Sequence, residues 1–109
     1  MKIMISQPMQ GKTAQEILEK RDAAAAHLEL MGYEVVNTLF TNTQIDVDVV
    51  NTKDDNDAKS LPLAHLARSL RFMSRCDAVY FCKGWQDARG CRIEHDAAEA
   101  YGLQVIEEE

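Results

Sequence analysis

The sequence has no long hydrophobic run. No stretch approaches the roughly 18 consecutive apolar residues that a membrane-spanning helix requires, although 46% of the 109 residues are hydrophobic. The apolar stretch at the N-terminus, residues 1–5, is too short for a signal peptide and is followed at once by polar turn residues. We therefore expect a cytoplasmic protein with no membrane partner.

Cysteines and cationic side chains are also scarce. Cys76, Cys82 and Cys91 are an odd number without CxxC spacing, which indicates reduced thiols and not a disulfide or zinc framework. The 12 Lys and Arg residues are outnumbered by 18 Asp and Glu residues, so the net charge is −6. Because duplex binding relies on Lys and Arg contacts to phosphates, this balance argues against a nucleic-acid polymer as the main partner. The negative net charge still allows a small anionic ligand to bind where Lys or Arg side chains are grouped together.

Strand and helix patterns alternate along the chain. Apolar runs at 2–5, "YEVV", "DAVYFC" and "LQVI" predict four strands. The capping box Thr13 to Glu16 predicts the start of a first helix, and "LPLAHLARSLRFMS" and "RIEHDAAEAY" predict two more. Strands that are apolar on both faces and alternate with helices indicate a parallel sheet covered on both sides. We predict a single three-layer α/β domain over 1–109, Rossmann-like, with strand order 2-1-3-4.

The connection between the second strand and the second helix is long, polar and acidic. It covers about 37–59, whereas loops of this kind usually have about 2–6 residues. We predict a lid or a partly disordered segment here.

The predicted ligand site lies in the loops at the carboxyl ends of the strands, where open parallel sheets bind ligands. These loops are Ser6 to Lys12, Asn37 onward, and Lys83 to Gly90. Gly84 is expected to form a turn. Trp85 after it either stacks on the base of a ligand or acts as a hydrophobic lid that covers the core.

Glu94 is the most informative residue of the third predicted helix. The apolar stripe of that helix contains Gly90, Ile93, Ala97, Ala98 and Tyr101, and the opposite face contains Arg92, His95, Asp96 and Glu99. Glu94 falls on the apolar stripe, one turn into the helix, and leans toward the rim of the site. The positive end of a helix stabilises a carboxylate by only about 0.3–1 kcal/mol, whereas desolvation costs about 1.4 kcal/mol for each unit by which it raises the pKa. Glu94 therefore either touches water, a hydroxyl or a ligand, or is a neutral acid. The alternative is a half-exposed glutamate bonded to the preceding loop.

Other candidate groups are weaker. His27, His65 and His95 fall on three different helices without metal-ligand spacing, and "DDND" lacks the glycine and glutamate of a calcium loop. Cys91 lies near a helix start but has no clear base beside it. We therefore expect no metal and no cofactor.

Four segments together resemble a known family. They are "ISQPMQGK", "GYEVVN", "SRCDAVYFCKGW" and "DARGCRIEHDAAEAYGL", and they span nearly the whole chain. The sequence resembles a small bacterial and phage domain family of uncharacterised function related to the nucleoside 2-deoxyribosyltransferases. The resemblance implies a flavodoxin-like sheet and a glutamate nucleophile at the start of a helix that continues E-x-x-x-A, which Glu94 matches. Those relatives carry Asp or Ser six residues before the nucleophile. Ala88 stands there in this chain, and Asp87 is the candidate replacement.

The resemblance implies cleavage or transfer of a nucleoside or nucleotide N-glycosidic bond, with Glu94 and Asp87 as catalytic residues. The expected substrate contacts are Ser6, Gln7, Pro8, Met9, Gly11, Lys12, Asn37, Gly84, Trp85, Gln86, Arg89 and Gly90. Relatives also complete sites with a neighbouring subunit, and we expect a homo-oligomer that packs through the second and third helices. A non-catalytic nucleotide-binding or sensing module is the alternative. A flavin carrier would share the sheet order, but the first loop has no hydroxyl-rich phosphate site beyond Ser6 and Thr13.

Overall fold

The computed structural model describes residues 1–9, 11–36 and 60–109. The predicted long connection at 37–59, with its candidate residue Asn37, lies outside the described residues. The elements are, in chain order, β1 (Lys2–Ser6), α1 (Ala14–Leu30), β2 (Glu34–Val36), α2 (Ser60–Met73), β3 (Ala78–Phe81), a 3₁₀ turn (Trp85–Asp87), α3 (Arg89–Ala100) and β4 (Gln104–Glu107).

The four strands form one parallel sheet in the order β2-β1-β3-β4. Met4 of β1 pairs with Val36 of β2 on one side and with Val79 of β3 on the other, and Phe81 of β3 pairs with Glu107 of β4. The predicted α/β fold and strand order are confirmed. Because all strands run the same way, the loops after β1 and β3 meet at the same edge of the sheet.

The core has one layer on each face of the sheet, since alternate side chains of a strand point to opposite faces. On one face, Ile3 and Ile5 pack with Leu28 of α1. On the other, Met4, Val79 and Phe81 pack in a cluster that also contains Met73 from α2 and Ala98 from α3.

Helix α1 begins where its sequence predicts. Thr13 is the N-cap, its hydroxyl accepts from the Glu16 backbone N–H, and the Glu16 side chain reaches back to the cap backbone, so the capping box is confirmed. Gly32, just beyond the helix, has φ of +93°, the left-handed conformation that glycine commonly adopts after the last turn of a helix. The buried residues of α1 are Arg21, Ala24 and Leu28, whereas the apolar side chains of Leu18 and Met31 are exposed.

Helix α3 is rotated relative to its predicted apolar stripe. Its buried residues are Cys91, Glu94, His95 and Ala98. The expectation that Glu94 points inward is confirmed, but the placement of His95 on the solvent face is wrong, and the predicted stripe residues Ile93 and Tyr101 are 41% and 85% exposed. The His95 ring is retained inside because it packs against the aromatic rings of Phe81 and Trp85.

Within the described ranges, no helix combines the length and the apolar character needed to cross a bilayer.

Candidate functional site

The carboxylate of Glu94 meets a hydroxyl at the carboxyl end of β1. Ser6 is the last residue of that strand, and its Oγ donates to Glu94 Oε1 at 2.6 Å, although 88 residues separate the two in the chain. The Ser69 hydroxyl on α2 also acts on this carboxyl, whose pKa it lowers. Glu94 is 7% exposed, so the half-exposed alternative is wrong and the carboxylate touches hydroxyls in a nearly closed site.

The protonation of Glu94 depends on opposing influences. Burial raises the pKa of its carboxyl above the ordinary value, and this is the largest influence. Hydrogen bonds from Ser6 and Ser69 and the positive charge of Arg21 oppose the shift in pKa, because each favours the ionised form. The site therefore holds a carboxyl group that takes up a proton more readily than an exposed glutamate does.

Gln7 and Arg21 continue the polar cluster on the other face of the sheet. Arg21 Nε donates to Gln7 Oε1 at 3.0 Å, and Gln7 Nε2 donates to the Ile17 carbonyl at 3.0 Å. Arg21 also donates through its second terminal nitrogen to the Ile5 carbonyl at 3.4 Å. Both polar atoms of the Gln7 amide are thus engaged within the protein, and the contact of Gln7 with a substrate stays a prediction.

Cys91 lies next to Ser6 at the start of α3. Burial raises the pKa of the Cys91 thiol above the ordinary value, and the interaction with Ser6 opposes this rise. Because the thiolate is the nucleophilic form, this shift opposes a nucleophilic role for Cys91. The contact nevertheless completes a compact cluster of Ser6, Cys91 and Glu94.

The loop after β3 closes over the first loop. Gly84 has φ of +91°, and a Cβ on it would meet Pro8 Cγ at 3.7 Å, so the two predicted loops are in contact. Trp85 stacks on His95 with ring centroids 4.0 Å apart and an interplanar angle of 4°. It also packs against the core cluster. This arrangement corresponds to the hydrophobic lid, the second of the two alternatives for Trp85.

The remaining predicted residues lie around this cluster. Met9, Gly11, Lys12, Gln86, Asp87 and Arg89 are exposed, and Pro8, Gly84, Trp85 and Gly90 are half-buried. Asp87 is exposed in the 3₁₀ turn that precedes α3, on the rim of the site. The structure therefore brings Ser6 directly to Glu94 and joins the two glycine- and proline-containing loops, while the catalytic role of Asp87 stays a prediction.

Three residues near the cluster were missed at the level of sequence: Arg21, Ser69 and the buried His95. Arg21 had a usable signal. It falls on the stripe of Ile17, Ala24 and Leu28, at spacings of three and four, just as Glu94 falls on the stripe of α3. Ser69 had none, because a serine on an amphipathic helix is ordinary without its tertiary partner.

His95, Asp96 and Glu99 place potential metal-ligand atoms within 4.8 Å of one another in the described part of the chain. The His95 ring is already engaged with carboxylates, since Nε2 lies 3.0 Å from Glu107 and Nδ1 lies 3.3 Å from Glu99. Both ring nitrogens of His95 thus already have carboxylate neighbours, and the group by itself does not indicate a metal site.

A separate groove of about 590 Å³ lies between α1 and β4. Its lining residues are Lys20, Ala23, Ala24, His27, Met31, Tyr80, Ile106, Glu107, Glu108 and Glu109. These do not include the predicted site residues, so the groove is distinct from the cluster around Glu94.

Replacing Glu94 by Gln is expected to change how stability depends on pH. The folded-state pKa of Glu94 is raised above the ordinary value of 4.5, so its contribution to the unfolding free energy is fully present below that value and is lost as pH rises through the folded pKa. A glutamine side chain mimics the protonated form and has no such loss. The Glu94→Gln variant should therefore gain stability over the parent as pH rises above about 4.5.

Urea unfolding at a series of pH values measures this difference. Glu109→Gln, at an exposed position, is the matched control and should follow the parent at every pH. If the unfolding free energies of the parent and Glu94→Gln changed in parallel with pH, the Glu94 carboxyl would have the same pKa in the folded and unfolded chains, contrary to the prediction.

Comparison with known proteins identifies the family. Neither curated proteins nor solved structures give a significant match to this chain. The family model described as "Domain of unknown function (DUF4406)" matches residues 1–107, nearly the whole chain. The protein therefore belongs to the DUF4406 family.

Proposed function

We propose that this protein cleaves or transfers the N-glycosidic bond of a nucleoside or nucleotide, with Glu94 as the nucleophile. The observation that carries the proposal is the Glu94 carboxylate itself, 7% exposed and bonded to Ser6 at the carboxyl edge of a parallel sheet. Burying a carboxyl group costs folding free energy, and ligand sites of open parallel sheets lie at this edge, so a role in ligand chemistry accounts for both its burial and its position.

The chemistry needs few groups. Glu94 attacks C1′ as the C1′–N bond breaks, the bonding electrons leave with the base, and a glycosyl ester forms on the carboxylate. A proton reaches the departing base, and Asp87 on the rim is our candidate donor. Water or the nitrogen of a second base then attacks C1′ and releases Glu94. Water makes the protein a hydrolase, and a second base makes it a transferase.

Ser6 has a defined part in this scheme. By donating to Oε1 it fixes the orientation of the carboxylate at the carboxyl edge of the sheet. We assign contacts with the sugar and base to the exposed and half-buried residues of the two loops, including Met9, Lys12 and Gln86, because the Gln7 amide is engaged by Arg21 and Ile17.

The proposal includes a relationship between this family and the nucleoside 2-deoxyribosyltransferases. Its support is the segment "DARGCRIEHDAAEA", which places Glu94 four residues after Gly90 and continues as E-x-x-x-A. The position of Glu94 in the first half of α3, beside the carboxyl end of β1, is compatible with that relationship.

A non-catalytic nucleotide-binding module is the second candidate. One observation favours it: burial raises the pKa of Glu94, and a protonated carboxyl donates a hydrogen bond and does not attack carbon. In such a module Glu94 would bind a ligand oxygen or nitrogen without forming a covalent bond.

Incubation with a panel of nucleosides and their 5′-monophosphates tests the proposal. We expect at least one member to release free base by chromatography, and a new nucleoside to form if the protein is a transferase and a second base is present. No turnover combined with a raised melting temperature would support the binding module. Neither turnover nor a thermal shift for any member would contradict both candidates.

A further inference from the structure

The residue that follows β4 is held against the end of β3 by the main chain. Phe81, the last residue of β3, pairs with Glu107, the last residue of β4, and the Glu108 backbone N–H donates to the Phe81 carbonyl at 2.9 Å. Because the two strands are parallel, Glu108 lies at the carboxyl edge of the sheet, where the loops after β1 and β3 also meet. Its side chain therefore starts from a fixed point at the edge that carries the candidate site.

Both carboxylate oxygens of Glu108 are bonded to other parts of the chain. Oε1 accepts from the Lys83 backbone N–H at 2.7 Å, and Oε2 accepts from Lys20 Nζ at 2.7 Å. Hydrogen bonds in which one group is ionised are shorter and stronger than neutral ones. Exposed ion pairs usually contribute little to stability, and the Lys20 and Glu108 side chains are 41% and 25% exposed. The importance of these contacts is therefore that one carboxylate joins β4, the loop after β3 and α1.

Lys83 begins the loop that closes over the first loop. Directly after it, Gly84 turns the chain with φ of +91°, and the 3₁₀ turn follows. Bonds within this turn are local, such as the one from the Asp87 N–H to the Gly84 carbonyl at 3.1 Å, and they do not attach the turn to the rest of the protein. The Lys83 N–H, by contrast, attaches the start of the loop to Glu108 from another element.

Glu107 reaches the same loop by a second route. Its Oε2 lies 3.0 Å from His95 Nε2, and the His95 ring stacks on Trp85 with centroids 4.0 Å apart. Consecutive residues at the end of β4 thus act on the loop at two points, directly at Lys83 and through His95 at Trp85. The position of the loop therefore depends on β4 as well as on its own turn.

We propose that Glu108 is a positioning residue that anchors the loop after β3 at the site around Glu94. The bond to Lys83 fixes where the loop starts, and the ion pair with Lys20 holds the carboxylate that makes this bond. The loop carries Asp87, the candidate proton donor, so its position affects the geometry of the proposed reaction. The consequence for catalysis rests on the proposed function, whereas the anchoring of the loop does not.

Amide hydrogen exchange tests the anchoring without any substrate. Glu108→Ala removes both side-chain bonds, and Glu108→Gln keeps one acceptor oxygen. In Glu108→Ala the amides of Lys83 and Asp87 should exchange about tenfold faster than in the parent, because the loop opens more often. The amide of Val79, a buried residue of β3, should change by no more than about twofold, because the sheet stays intact. Glu108→Gln should recover part of the protection. Glu109→Ala, which removes the neighbouring exposed carboxylate, is the matched control and should leave all three rates unchanged.

Several results would overturn the proposal. Faster exchange at Lys83 alone would mean that Glu108 covers one N–H group and does not place the loop. Equal acceleration at Val79 would mean that Glu108 supports the whole fold and not the loop. A glutamine that protects no better than alanine would show that the bond to Lys83 is not the anchor. Unchanged rates in Glu108→Ala would mean that the stacking of Trp85 and the turn itself are sufficient to hold the loop.

Activity separates this inference from the proposed function. If base release is found, Glu108→Ala should lower kcat/KM about tenfold, and Glu109→Ala should leave it within about twofold. An unchanged kcat/KM combined with faster exchange would overturn the positioning role in catalysis. If no substrate is cleaved but exchange in the loop is faster, the proposed function fails and the anchoring stands. If exchange is unchanged, the anchoring fails whatever the activity.

Discussion

Glu94→Gln is expected to lower the rate of base release by several powers of ten. The substitution preserves size and leaves an amide oxygen that can accept from Ser6, but it removes the oxygen nucleophile. Losing a nucleophile raises the barrier by about 4–8 kcal/mol. The measurement is the initial rate of base release from the best substrate of the panel, at equal concentrations of folded protein and at saturating substrate, so that the chemical step is compared and not binding.

Asp96→Asn is the matched control for that comparison. Asp96 is an exposed carboxylate on the same helix, two residues beyond Glu94, and its replacement should leave the rate within about twofold, because it points to nearly the opposite side of the helix. If Glu94→Gln releases base as fast as the parent, the buried carboxylate is structural. If neither protein turns over but a nucleotide raises both melting temperatures equally, Glu94 is not required for binding either.

Phe81→Ala is expected to have the largest effect on stability. Phe81 is fully buried at the end of β3, and its ring lies 4.8 Å from the ring of His95 and 5.6 Å from that of Trp85. Removing a buried aromatic side chain typically lowers the unfolding free energy by about 3–5 kcal/mol, through lost burial and the cavity that stays behind. The expected fall in melting temperature is roughly 4–8 °C for each kcal/mol in a domain of about this size.

Tyr101→Ala provides the matched aromatic control. Tyr101 is 85% exposed at the C-terminal end of α3, and its removal should change the unfolding free energy by no more than about 0.5 kcal/mol. Chemical denaturation of the three proteins measures both effects. A loss below about 1 kcal/mol for Phe81→Ala would mean that the aromatic cluster is not an essential part of the core.

Local sequence was sufficient for most of the fold. The capping box at Thr13, the left-handed Gly32 and the short apolar runs are each readable within a few residues, because they depend on backbone geometry and on side chains that are near in the chain. The strand order then followed from general rules for parallel crossovers, which leave few ways to arrange four such strands.

Helical periodicity was less reliable for deciding which residues of a helix are buried. In α3 the pattern correctly predicted that Glu94 is buried. It also predicted a buried Ile93 and an exposed His95, whereas Ile93 is exposed and His95 is buried. Periodicity locates an apolar face to within about one residue, and neighbouring positions on a helix differ by about 100° in direction. The final rotation of α3 depends on the rings of Phe81 and Trp85, which accept the flat imidazole.

The sequence by itself determined that Glu94 faces inward at the edge where the loops after β1 and β3 meet. The tertiary structure decided the surroundings of that carboxylate: it accepts from Ser6, 88 residues away in the chain, and Ser69 from α2 and the charge of Arg21 from α1 lower its pKa. Hydrogen bonds and charges act over a few ångströms in space and carry no signature in chain separation. The partners of Glu94, and with them its protonation, therefore arise only when the two faces of the sheet are assembled.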